Sequence, residues 1–334
     1  MHSSREFTVA TGRSTRLMPS NYHLKAQRQL TLSLQAVCMA VPECPEIPIM
    51  TEPNPTDPQI TVSFQGALGA YSHRAAVAVF PDCEVVPSPS FDDAMVAVSQ
   101  GEADCAVIPI ENSTAGRVAD IHMLLPGSGL SIIGEYFLPI HHCLLVVPGA
   151  VEADLTTAVS HVQALGQCRL TLKAMGLKAQ PFSDTAGAAR YVAEHGDKTM
   201  AAIGSDLAAE VHGLEILKRD IHDRAENTTR FVVLAREALI PTSFEGPALT
   251  SFTFETRNVP AALFKALGCF ATNGVNMTKL ESYYEGDSFQ ASEFYVDIEG
   301  RPTDSAVAEA LRELEFQAKR IRMLGTYPQA KPRA

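Results

Sequence analysis

The chain has 334 residues, of which 46% are hydrophobic and 19% charged, and a formal net charge of −11. That is the length of two or three domains, with enough apolar side chains to bury a core. The acidic balance argues against nucleic acid or an anionic membrane surface as partner, and no apolar run approaches the roughly 20 residues of a membrane helix.

Residues 1–58 read differently from the rest. Arg5, Arg13, Arg16, Lys25 and Arg28 make their first half basic, and Pro42, Pro45, Pro48, Pro53, Pro55 and Pro58 break up the second. A disordered tail is the expectation, with an organelle leader as the alternative. The cysteines at 38, 44, 83, 105, 143, 168 and 269 are odd in number and lack a Cys-x-x-Cys pair. They predict free thiols in a reducing cytosol, hence a cytoplasmic protein without disulfide framework or zinc site.

From residue 60 the pattern is strand, loop, helix. Strands are predicted over 60–64, 103–110, 143–147, 157–159, 200–204 and 231–235. Helices are predicted over 74–80, 91–100, 164–175, 186–194 and 205–211, with another near 118–125. This alternation predicts parallel sheets flanked by helices, with ligands beyond the carboxyl ends of the strands. A linker over 237–247 carries Pro241 and Gly246. The rhythm then changes to strand 249–256, helix 260–272, strands 275–284 and 290–298, helix 305–318 and strand 320–327. That βαββαβ order describes a ferredoxin-like module, its middle hairpin turning at Glu285-Gly286-Asp287-Ser288.

Polar loops fall where such a fold places chemistry. Gln65-Gly66-Ala67-Leu68-Gly69-Ala70-Tyr71-Ser72 joins a strand to a helix. Its glycines let backbone N–H groups approach an anion, but neither the dinucleotide spacing nor a Walker lysine is present. Ser72 also suits a plain helix cap. Pro109-Ile110-Glu111-Asn112-Ser113-Thr114 ends another strand with a carboxylate, an amide and two hydroxyls. Ser160-His161-Val162-Gln163 opens a helix, where Ser160 alone is explicable as a cap, and Gly204-Ser205-Asp206 repeats that layout. His141 and His142, adjacent on or near a strand, point to opposite faces and make a poor metal pair. Asn227-Thr228-Thr229-Arg230-Phe231 sets two hydroxyls and a guanidinium at the mouth of an apolar strand. That mixture suits an acidic substrate that must lose a hydroxyl group. Chemistry would rest on hydrogen bonding and charge placement, with no cofactor and no metal.

In order along the chain these loops resemble the prephenate dehydratase family. The resemblance implies an α/β protein over 59–236, with a two-lobed catalytic domain like that of periplasmic binding proteins. It also implies an ACT regulatory domain over 248–328 and a short tail over 329–334. It implies decarboxylating dehydration of prephenate to phenylpyruvate. Thr229 would donate toward the departing oxygen, Arg230 would anchor a carboxylate, and Phe231, Glu111, Asn112 and Ser113 would complete the catalytic set. Ser72, Ser160, His161 and Gln163 would hold substrate.

For the C-terminal module the resemblance implies L-phenylalanine as inhibitor, contacted by Ala261, Ala262, Leu263, Asn276, Glu281 and Ser282. It also implies a homodimer or homotetramer assembled through these domains. Departures from the family pattern are Val162 in place of proline, Ala261 where glycine is common, and Tyr283-Tyr284 in place of Arg-Pro after Glu281-Ser282. They touch effector binding more than catalysis. Arogenate dehydratase is the neighbouring alternative, and a non-catalytic amino-acid or carboxylate sensor the alternative from another class.

Overall fold

The computed structural model describes residues 59–224, 226–284 and 291–331. The expectations for residues 1–58, for the hairpin turn at 285–288 and for the end of the tail lie outside them.

The first lobe opens with β1 (Thr61–Gln65), α1 (Tyr71–Val79), β2 (Glu84–Ser88), α2 (Phe91–Gln100), β3 (Cys105–Asn112), β4 (Gly116–Arg117), α3 (Ala119–Leu124) and β5 (Ser131–Pro139). The chain then builds the second lobe with β6 (Cys143–Val146), β7 (Thr157–His161), α4 (Val162–Gln167), α5 (Arg169–Ala174), β8 (Lys178–Phe182), α6 (Thr185–His195), β9 (Met200–Gly204), α7 (Asp206–His212) and β10 (Glu215–Lys218). It returns with β11 (Thr228–Ala235), which sits in the first sheet between β3 and β5. The first sheet runs β2-β1-β3-β11-β5, and the second β10-β6-β9-β7-β8. Two crossovers therefore join the lobes, 140–142 outward and 219–227 on return. They are tied to each other twice: Ile221 N–H donates to His142 O at 2.9 Å and Ile140 N–H to Asn227 O at 2.8 Å.

The expected α/β class is present, but the sheets are mixed. β11 pairs antiparallel with β3 and β5, and β6 pairs antiparallel with β9 and β10. A strand that re-enters a sheet from the other lobe arrives from the far end, so antiparallel pairing follows from the double crossover. β5 also went unpredicted. Gly134 and Glu135 interrupt its apolar pattern, although Glu135 is as buried as its neighbours. The helix expected over 164–175 breaks into α4 and α5 at Cys168.

After residue 247 the order is β12 (Ala248–Thr256), α8 (Ala262–Thr272), β13 (Met277–Tyr284), β14 (Ala291–Glu299), α9 (Ser305–Gln317) and β15 (Ala318–Pro328). They form an antiparallel sheet in the order β13-β14-β12-β15. Alternation along its strands assigns its two faces. Phe252, Phe254, Val296 and Ile298 pack with Ala266, Phe270 and Leu314 of the helices. Leu249, Tyr295, Leu324 and Tyr327 pack instead with Ile108, Ile110, Val232 and Leu234 of the first lobe. The opposite face of that first sheet holds Val62, Phe64, Val107, Phe231 and Val233 against Ala75, Ala76 and Val79 of α1.

Contact between the two sheets is closest at Gly325 on β15, where a Cβ would overlap the carbonyl oxygen of Ile132 on β5. Gly325→Ala is expected to force the sheets apart at about 1–3 kcal/mol, the usual range for overpacking. Thermal unfolding should show it as a lowered midpoint, while Gly176→Ala, at an open left-handed turn, should cost only its backbone strain.

Candidate active site

Alternation on β11 divides the Thr229-Arg230-Phe231 motif. Thr229 faces the α1 side of the sheet and Arg230 faces the C-terminal module, because neighbouring residues in a strand point oppositely. The register against β3 shifts between Arg230 and Phe231, so that Phe231 sits opposite Pro109 and Arg230 opposite Glu111. Ile110 is the extra residue. This bulge turns the end of β3 by one position, putting Glu111 on the Arg230 side and Asn112 beside Thr229.

The two faces have different chemistry. On the cleft side, Asn112 Nδ2 donates to Thr229 Oγ1 at 2.9 Å and to Asn227 Oδ1 at 2.7 Å. Asn112 Oδ1 accepts from the N–H groups of Thr114 and Ala115 at 3.0 and 2.8 Å, which fixes the amide's orientation. Ser113 braces the same corner, its Oγ accepting from Thr228 N–H at 2.9 Å. Beyond Asn227 the chain of contacts continues across the crossovers. Asn227 Nδ2 and His142 Nε2 both meet Gln167 Oε1, at 3.1 and 2.7 Å. An oxygen only accepts, so the His142 proton sits on Nε2 and its Nδ1 is left to accept from Tyr71 OH at 2.7 Å. Burial lowers the His142 pKa, consistent with a neutral ring.

The second lobe closes on the Gly-rich loop. Gly69 has φ +89°, and a Cβ there would lie 2.8 Å from the Ala208 Cα at the start of α7. Ser205, the N-cap of α7, donates to Gly69 O at 2.6 Å. His73 Nδ1 accepts from Gly69 N–H at 3.0 Å while its ring stacks on Phe64. Ser72 lies buried in the first turn of α1; Ala70 holds the N-cap position without a side-chain cap bond. At the entrance of α4 the N-cap is His161, which accepts from Gln163 N–H, and Ser160 is buried with its hydroxyl donated to Ile203 O at 2.7 Å. Ser160 therefore ties β7 to β9, which corrects its expected contact with substrate.

Arg230 requires the larger correction. It is 1% exposed, its Nε donating to Glu135 and its Nη1 to Asp297, both at 2.7 Å, and its Nη2 to Tyr327 OH at 3.1 Å. A guanidinium so enclosed has no donor directed into the cleft, so it is not the carboxylate anchor expected of it. Glu111 shares this side, ion-paired with Lys279 of β13 and 4.0 Å from Arg230. Phe231 is 1% exposed core. What sequence reading missed is the polar chain behind Thr229. Gln167 carried no motif, Tyr71 entered only as part of the Gly-rich loop, and His142 only as half of a poor metal pair.

The expected effector residues lie along α8 and β13. Ala261 caps α8 in the left-handed conformation, φ +61°, where an alanine is strained by roughly 1 kcal/mol. Asn276 donates to Glu299 at 3.0 Å, and Glu281 pairs with Arg117 and Lys279. Ser282 O accepts from Arg117, whose guanidinium also covers the Tyr283 ring. Tyr283 also stacks on His122 of α3, so a residue that departs from the family pattern docks this strand onto the first lobe.

A sequence model of prephenate dehydratase matches residues 62–239. A bifunctional N-acyl-homoserine lactone acylase/prephenate dehydratase of Komagataeibacter europaeus is 45% identical over 269 residues, covering 80% of this chain and 95% of that one. Arogenate dehydratase/prephenate dehydratase 2 of Arabidopsis thaliana, chloroplastic, is 41% identical over 288 residues, covering 84% and 75%. A crystal structure of prephenate dehydratase from Arthrobacter aurescens in complex with L-Phe superposes with a TM-score of 0.75 at 33% identity, covering 82% and 92%. The fold and cleft are those of a two-lobed hydro-lyase. The chain belongs to the prephenate dehydratase family. Among the described residues no helix is long and apolar enough to cross a membrane.

His122 yields a pH prediction. Burial first, and then the Lys279 charge, push its pKa down to about 4, against about 6.5 in an unfolded chain. Between those values the unfolded chain binds a proton that the folded one does not, so stability falls as pH drops from about 6.5 toward 4. The ring's Nε2 is buried without a partner, while Nδ1 donates to Val118 O at 3.2 Å. His122→Phe is expected to lose that one bond at neutral pH, about 1 kcal/mol, and to flatten this acid decline in denaturant titrations at stepped pH.

Proposed function

We infer that the protein converts prephenate to phenylpyruvate, carbon dioxide and water. In that reaction the ring-bound carboxylate leaves as carbon dioxide and its bonding electrons flow into the ring. The para hydroxyl departs, taking a proton to become water, and aromatisation drives the step. The protein must hold a dianion in one orientation and stabilise the departing oxygen.

The observation that carries this reading is the bond from Asn112 to Thr229. By donating to Thr229 Oγ1, Asn112 occupies a lone pair of that oxygen and directs the remaining O–H outward, toward a leaving hydroxyl. Full proton transfer from an alcohol would be costly, so preorganised hydrogen-bond donation is the role assigned to Thr229. The donor is set before substrate arrives, because Asn112 is itself held by Asn227, Thr114 and Ala115. Ser113 frames the corner, and His161 and Gln163 at the start of α4 are the assigned contacts to the substrate side chain. With Arg230 enclosed, the start of α1 beside Ser72 is assigned to a carboxylate, since helix N-termini favour anions.

Regulation by L-phenylalanine is part of the same reading. It rests on the placement of Asn276, Glu281 and Ser282 along β13 and of Ala261, Ala262 and Leu263 at the start of α8. Phe264 and Phe316, exposed at 78% and 65% on α8 and α9, support assembly of copies through this module. Lys279 and Glu111 form the direct link by which β13 would reach the cleft.

Phenylpyruvate formation should be measured for the purified protein on prephenate, with arogenate run in parallel. Thr229→Ala is expected to lower kcat about 100-fold or more with KM little changed, and Thr229→Ser to restore most of it. An inactive wild type, or an unimpaired Thr229→Ala, would sink the reading. Faster turnover of arogenate would transfer it to the aminated substrate. Calorimetry with L-phenylalanine tests the regulatory half, which fails if no heat of binding is seen.

A further inference from the structure

The two crossovers carry a cluster that the dehydratase chemistry does not use. His141 lies on the outward crossover and Asp220 and His222 on the return one. One ligand atom from each lies within 4.8 Å of the other two. His141 Nδ1 meets Asp220 Oδ1 at 2.6 Å, and the rings of His141 and His222 stand edge to face with centroids 5.7 Å apart.

We propose that His141, Asp220 and His222 bind a divalent cation of the zinc class, which braces the two lobe-connecting crossovers against each other. Two imidazoles and one carboxylate form a nitrogen–oxygen set suited to Zn²⁺, Co²⁺ or Ni²⁺, with solvent completing the shell. It contains too few oxygens for calcium.

Two further observations point to a ligand. Asp220 is one of the two non-glycine residues with positive φ among the described residues, at 54°. A left-handed aspartate is tolerated at a cost, and here the strained backbone holds the carboxylate against His141. His222 Nδ1 is buried with no hydrogen-bond partner, although a buried ring nitrogen ordinarily finds one. The other nearby candidates are committed elsewhere. His142 is held at both nitrogens by Tyr71 and Gln167. Asp223 accepts from the N–H groups of Leu170 and Thr171.

Ligands from both crossovers would make the cation a strap across the segment where the lobes bend, one residue from His142 and its path through Gln167 and Asn227 to Asn112. The site uses none of the residues assigned to the dehydratase chemistry, and the proposal holds whichever of the aromatic precursors is the substrate.

Zinc chloride titrated calorimetrically into the full chain, with thermal unfolding followed in parallel, tests this. Wild type is expected to bind about one equivalent and to gain thermal midpoint. His222→Ala is expected to weaken that binding at least 10-fold and to remove the gain. Asp220→Gly guards against misfolding as the explanation, since it deletes a ligand while relieving the left-handed strain. It should fold at least as well as wild type and still lose the zinc response. No zinc binding in wild type, or binding of equal strength in both variants, would overturn the proposal.

Discussion

The structure depends on the enclosure of Arg230. Its guanidinium joins Glu135 of the first sheet to Asp297 of the third, and Tyr327 supplies a further oxygen. Each carboxylate is also held from behind, Glu135 by the Ala330 N–H at 3.1 Å and Asp297 by Ser251 at 2.5 Å. Burial alone would raise the Asp297 pKa. The Arg230 charge and the bonds from Ser251, Tyr295 and Arg230 outweigh it, leaving the value lowered. The ionised carboxylate thus contributes stability above its unfolded pKa of about 3.9, and that contribution fades as pH falls through the folded value. A buried ion pair adds little over a well-packed apolar contact, yet removing one partner costs about 3–5 kcal/mol through the charge left behind. The docking of the C-terminal module is therefore specific in geometry: any slide of β14 against β5 strands a charge.

One strand thus serves two functions on opposite faces. Arg230 fixes the C-terminal module to the sheet, and Thr229, one residue earlier, faces the cleft with Asn112. A displacement of β14 or β15 cannot avoid β11, because Arg230 lies in its backbone register with Glu111 and Phe137. Coupling between module and cleft needs no long pathway here. The coupling proposed above would run through a single strand and through the Lys279–Glu111 pair beside it, with Arg230 next to Thr229 and Glu111 next to Asn112. An effector would act by differential contact in two states, and on this short route a small shift at β13 would reach Asn112.

Much of this was legible in the sequence because it follows from pattern. The βαββαβ order, the helices over 91–100 and 186–194 and the apolar centre of β11 are encoded by periodicity, and the structure adds Ser90 and Asp184 as the caps of those two helices. The motif order also located Thr229 and Asn112, which meet across adjacent strands. Two features lay beyond reach. The fate of Arg230 depends on Glu135, 95 residues distant in a strand that local pattern did not reveal, and on Asp297, 67 residues distant in one that it reads as ordinary. The bulge at Ile110 reverses the alternation that a reader would extend from Cys105-Ala106-Val107-Ile108. Proline at 109, a residue that interior strands seldom hold away from bulges, was the available sign.

The enclosure of Arg230 also sharpens the chemistry. With the Arg230 guanidinium enclosed, this motif would offer the dianion neutral donors: the Thr229 hydroxyl and the amide that supports it. A fixed cation would bind substrate and transition state alike and would add to affinity more than to rate. It would also resist loss of carbon dioxide, which disperses the carboxylate charge into the ring. Neutral donors aimed at the departing hydroxide strengthen as negative charge grows on that oxygen, so their effect is concentrated in the transition state. The arrangement that looked like a loss of the expected anchor is the one that better serves an elimination driven by aromatisation.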